Sequence, residues 1–174
     1  MSCAVEGRVS SYDLRSGKEA YRIAPAHSSR ILDMDYNPNK PYNLVTAGQD
    51  CTVKFWDVRK ERTPLKVLRD FTHWVSSVRF NPSHDQLVVT GSTSTTVKLW
   101  RVLSVSSAAL TYDLTATAPS SGGGSYDISE KDVLVASYEH EDSIYQTAWS
   151  ASDAWVFASL SYNGNVLIST VPNN

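Results

Sequence analysis

With 174 residues, 16 basic and 18 acidic side chains and a formal charge of −2, the chain is long enough to bury a core without covalent staples. Near-neutral charge with no Lys/Arg run gives no electrostatic footprint for a nucleic-acid backbone or an anionic membrane. No apolar run approaches the roughly 20 residues that span a bilayer, and Cys3 and Cys51 are too few for a disulfide framework. The start lacks the pattern of a signal peptide, and the cysteines form no close-spaced metal motif with His27, His73, His84 and His140, so a cytoplasmic chain without metal or cofactor is expected.

Taken in chain order, the residues fall onto one repeating template. SCAVEGRVSSYD, from Ser2 to Asp13, matches TAGQDCTVKFWD of the following segment, so the chain starts inside a repeat. His27 to Asp57 is the clearest copy. It holds a histidine turn, an alternating strand (Ile31, Met34, Tyr36), an Asn37-Pro38 turn, an apolar strand (Leu44, Val45), a polar turn ending in Asp50 and a strand closing on Trp56-Asp57. Phe71 to Trp100 repeats it, with Pro82 and Trp100 each 44 residues after Pro38 and Trp56. Residues 109–130, rich in Ser and Gly, read as a flexible linker, and in it and just before it Ser106, Ser107, Thr111, Ser120, Ser121 and Ser125 read as exposed hydroxyls. The last copy starts at His140 and places Ser169 where the tryptophan belongs.

A 44-residue unit of four short strands closing on Trp-Asp resembles the WD40 family of β-propellers, through Trp56-Asp57, Asp50-x-Thr52-Val53-Lys54-x-Trp56 and Thr96-Val97-Lys98-Leu99-Trp100. The resemblance implies an all-β propeller, here about half a ring. Residues 1–26 are a partial blade, 27–70 and 71–108 two blades, and 131–174 a C-terminal blade lacking its outer strand. It also implies a hydrogen-bonded structural tetrad, complete only as His27, Thr46, Asp50 and Trp56. The third segment offers Phe71, Thr90, Ser94 and Trp100, and the last His140, Ser159, Asn163 and Ser169. Phrases such as SHDQLVVTGS and WVFASLSYNG are more specific. They make residues 6–172 similar to the C-terminal half of the family of EARP-and-GARP complex-interacting proteins. That likeness implies a non-catalytic scaffold peripheral to endosomes and the trans-Golgi network. Its expected partners are subunits of EARP/GARP tethering complexes in endosomal recycling and vesicle traffic.

No enzyme motif competes. Gly122 to Gly124 lack the Lys-Ser/Thr and helix of a phosphate loop, there is no Gly-x-Ser-x-Gly elbow, and Glu139, Glu141 and Asp142 around His140 fall in a solvated turn. The alternative within the fold is a chromatin or histone-binding adaptor, which needs an acidic pocket; Asp33, Asp35, Glu141 and Asp142 are scattered along the sequence. Aligning the repeats puts Arg30, Trp74 and Ser143 in equivalent places just after the His turn, and Gln49, Thr93 and Tyr162 just after the second strand. These six form the candidate partner-binding face, led by Arg30, Trp74 and Tyr162. Tyr145 and Trp155 are weaker candidates, because strand alternation turns them toward the core. A half ring leaves unpaired edges, so the expectation is a fragment that pairs with the other half of its own protein or with a second copy.

Overall fold

The computed structural model describes residues 2–107 and 132–172, so the linker at 109–130 lies outside the described residues. The described residues form four antiparallel sheets. The first holds β1 (Ser2–Val5), β2 (Arg8–Tyr12) and β3 (Glu19–Ile23). The second holds β4 (Ile31–Tyr36), β5 (Asn43–Gly48), β6 (Val53–Asp57) and β7 (Lys66–Leu68). The third holds β8 (Val75–Phe80), β9 (Leu87–Ser92), β10 (Thr96–Arg101) and β11 (Val133–Glu139), and the fourth β12 (Ile144–Trp149), β13 (Val156–Ser161) and β14 (Val166–Thr170). These are propeller blades in a partial ring, each packed on the next.

The structure corrects one boundary. Val133–Glu139 does not belong with the last blade, because it pairs with β10 as the fourth strand of the third sheet, and the fourth sheet starts only at Ile144. Leu103–Val105 forms a 3-10 turn, and Ser106 after it is buried rather than exposed, its hydroxyl donating to Leu103 O at 3.1 Å. The polypeptide returns at Asp132, whose nearly buried carboxylate accepts from Ser104 Oγ at 2.5 Å and pairs with Lys66 Nζ of the second sheet at 2.9 Å.

Two local devices recur in register. The repeat-equivalent turns before β2, β6, β10 and β14 each contain a residue in the left-handed region: Gly7 at φ 77°, Cys51 at 58°, Thr95 at 72° and Gly164 at 85°. Glycine occupies this conformation without a Cβ clash, whereas Cys51 and the β-branched Thr95 are held there by the pairing of the strands they join. The second device is a bulge in the innermost strand, where the register shifts between Ile31 and Asp33, between Val75 and Ser77, and between Ile144 and Gln146. The extra residue, Leu32, Ser76 or Tyr145, breaks the two-residue alternation and turns its side chain out of the ladder.

The core lies between blades. β5 and β9 are buried along their whole length because both faces of each sheet are covered. Val9, Ile23, Leu44 and Trp56 join the first and second sheets, Val45, Phe55, Val78 and Phe80 the second and third, and Val89, Leu99, Ile144 and Phe157 the third and fourth. β13 instead alternates between buried and half-buried, since one face of the fourth sheet is uncovered and Val166 and Ile168 are 63% and 71% exposed.

Polar side chains complete the joints. Asp33 accepts from Val78 N at 3.0 Å and from Arg79 Nη1 at 2.5 Å, and Asp35 accepts from Phe80 N at 2.9 Å, so the edge of β8 is capped by carboxylates from β4. The Asn-Pro turns do the same work twice: Asn37 donates to buried Asp85 at 2.9 Å, and Asn81 donates to Ala154 O at 2.6 Å.

Candidate functional site

Two arrangements carry polar chemistry. In the second blade His27, Thr46, Asp50 and Trp56 are brought together. His27 Nδ1 donates to Asp50 Oδ1 at 2.8 Å, which leaves Nε2 to accept from the Thr46 hydroxyl at 2.7 Å, and Trp56 Nε1 donates to that same oxygen at 2.9 Å. Burial presses the Asp50 carboxyl upward, but the Thr52 hydroxyl, the His27 ring and Ser28 N outweigh it and hold it at about 2. Burial lowers His27, against the pull of Asp50, so the ring is neutral. Thr46 is fully buried and its oxygen already engaged, so the set is closed to a substrate. Gly48 makes it possible: a Cβ there would stand 2.8 Å from His27 Nδ1 and 3.2 Å from Asp50 Oδ1.

The third blade reaches a similar shape by other contacts. Trp100 Nε1 donates to Thr90 Oγ1 at 3.1 Å, and Phe71 replaces the histidine with its ring centroid 5.9 Å from that of Trp100. Lys98 Nζ lies 5.5 Å over the Phe71 ring and pairs with Asp70 at 2.7 Å, where the equivalent Lys54 donates to Ala26 O at 2.8 Å. In the fourth blade only the His140–Ser159 bond, at 2.9 Å, remains of the tetrad, and Asn163 instead accepts from Ser161.

The second arrangement is an open cleft of about 770 Å³ on one face of the ring, built from three blades at repeat-equivalent positions. The second blade supplies Leu32 and Gln49, the third Trp74, Ser76 and Thr93, and the fourth Ser143, Tyr145 and Tyr162. Each pair of lining turns is tied by the same backbone bond at 2.9 Å: Gln49 N to Arg30 O, Thr93 N to Trp74 O, and Tyr162 N to Ser143 O. Ser143 Oγ donates to Thr93 O at 2.9 Å and so links the third and fourth blades. Five of the six expected face residues therefore line one cleft; Arg30 is exposed but lies outside its lining.

A family model described as the EIPR1 beta-propeller matches residues 1–100. Over 168 residues the chain is 42% identical to human EARP and GARP complex-interacting protein 1, covering 92% of this chain and 43% of that protein. It is 39% identical over 159 residues to EARP-interacting protein 1 of Caenorhabditis elegans, covering 91% of this chain and 44% of that one. The chain belongs to the EIPR1 β-propeller family. WD repeat-containing protein DWA2 of Arabidopsis thaliana is 35% identical over 172 residues, covering 95% of this chain and 44% of the plant protein. The chain spans less than half the length of these curated relatives.

In this EIPR1-family chain, exposed aromatic side chains gather in the cleft. Trp74 is 44% exposed, Tyr145 54% and Tyr162 63%, and the two tyrosine rings meet edge to face at 5.3 Å. Tyr145 is not turned toward the core, because it is the bulge residue of β12. Trp155 is elsewhere, stacked on His84 at 4.7 Å beside the outer strand β11. Sequence reading also missed His73 and Asp142. They occupy equivalent positions one residue before Trp74 and Ser143, and both line the cleft. Among the described residues no three His, Cys, Asp or Glu side chains converge as metal ligands, and no helix is long and apolar enough to cross a membrane.

Proposed function

We propose that the chain is part of a non-catalytic propeller adaptor that binds subunits of endosomal and trans-Golgi tethering complexes of the EARP/GARP type and serves endosomal recycling and vesicle traffic. The observation that carries this reading is the three-blade cleft, whose aromatic side chains are half exposed in a family whose relatives are named for complex interaction. Large, flat side chains bury much area at small entropic cost and dominate interface energies. The partner-binding face comprises Gln49, Trp74, Thr93, Ser143 and Tyr162 of the cleft, to which Tyr145 is added, and the exposed Arg30 beside it, whose carbonyl accepts from Gln49 N. The remaining half of the protein, or a second copy, packs on the uncovered face of the fourth sheet, where Val166 and Ile168 are exposed.

The alternative, a histone-binding adaptor, needs a pocket with several carboxylates; Asp33 and Asp35 are taken up by β8, and among the described residues Asp142 is the single carboxylate in the lining of the cleft. Affinity purification of the full-length protein from cells tests the choice. Recovery of tethering-complex subunits is expected; recovery of histones without any tethering subunit overturns the proposal.

A further inference from the structure

The cleft has a definite chemistry. Its walls offer π faces from two blades: Trp74, with the His73 ring beside it at 5.1 Å, comes from the third, and Tyr145 and Tyr162 come from the fourth. Asp142 is the acidic side chain of the lining, and among the described residues no Lys or Arg lines it. Its Oδ1 accepts from Ser143 N at 2.7 Å, which fixes the carboxylate at the mouth. Elsewhere the described carboxylates near blade joints are answered inside the chain, as Asp33 is by Arg79 and Asp132 by Lys66. Asp142 has no cationic partner among the described residues. Aromatic faces attract cations through their quadrupole, and a carboxylate in the same partly desolvated cleft adds to that attraction. The Gln49 and Gln146 amides in the lining leave room for hydrogen bonds to a peptide backbone.

The geometry points to a lysine or arginine side chain of a protein partner as the occupant of this cleft, held between Trp74 and the Tyr145–Tyr162 pair with its charge toward Asp142. This rests on the proposed role of the cleft as the partner-binding face and names the chemistry of what enters it. A guanidinium or an ammonium on a flexible stem both satisfy the arrangement, and a neutral or acidic side chain does not.

The test titrates the full chain with short, end-capped glycine–serine peptides carrying one central residue: lysine, arginine, their uncharged counterparts norleucine and citrulline, or glutamate. Binding is followed by chemical-shift changes at the Trp74 indole N–H. The cationic peptides are expected to bind about tenfold more tightly than their neutral counterparts. The isosteric Asp142→Asn variant and the Tyr162→Leu variant, both at exposed or half-exposed positions, are expected to erase most of that preference while leaving the spectrum of the core unchanged. Equal binding of charged and neutral peptides, a preference for glutamate, or no binding of any peptide overturns the inference. Capture of tethering subunits is read separately, so loss of the charge preference with capture intact removes this inference alone.

Discussion

At the residue scale, the tetrad of the second blade ties stability to pH. His27 has a depressed basicity in the folded chain, so below the ordinary histidine range, around 6.5, the unfolded state takes up a proton that the folded state refuses. Stability is therefore complete above that range and declines as pH falls. Asp50, held at about 2, adds stability that is present above about 4 and is lost as pH drops toward 2. Phe71 shows that an aromatic ring is accepted at the equivalent site of the next blade. His27→Phe is accordingly expected to lower stability at neutral pH by about 1–3 kcal/mol, because Thr46 loses a partner and Asp50 its ring donor. It should also flatten the decline between pH 6.5 and 5, with the remainder carried by His140, whose basicity burial likewise depresses. Denaturant melts at the two pH values check this; an unchanged pH slope contradicts the role given to His27.

Repetition of short elements explains what sequence could and could not show. His27, Asp50 and Trp56 are legible because their roles need particular side chains at fixed offsets, and the face positions Trp74, Thr93 and Tyr162 follow from the same offsets. Strand alternation misplaces Tyr145 because a bulge shifts it by one, and nothing in the string IYQTAW marks the extra residue. Repeat spacing assigns β11 to the last blade because the segment before it breaks the 44-residue period, and strand pairing with β10 and the Asp132 clasp decide its place in the third. The turn series carries its own prediction. Thr95 stands at φ 72° where Gly7 and Gly164 stand in equivalent turns, so Thr95→Gly is expected to raise stability by about 1 kcal/mol, seen as a higher thermal midpoint. A lower midpoint would mean that its side-chain contacts outweigh the backbone strain.

For the whole molecule, stacking of blades is both the source of stability and the means of building a site. Each blade packs on its neighbour, and the second, third and fourth together line a cleft that none of them contains alone. Val166 and Ile168 of the fourth sheet are exposed, and the chain spans less than half the length of the curated relatives it matches. On the proposed function, the bulge-built aromatic cleft is the surface through which the full-length protein meets its tethering partners. Quantitative co-purification of tethering subunits tests it most directly, using full-length protein with Trp74→Ala and Tyr145→Ala together, beside Trp155→Ala as a control on a different surface. Recovery is expected to fall by tenfold or more for the cleft variant, as for loss of about 2 kcal/mol at an interface centre, and to be unchanged for the control. Undiminished recovery from a folded cleft variant, or an equal loss with Trp155→Ala, would contradict the claim.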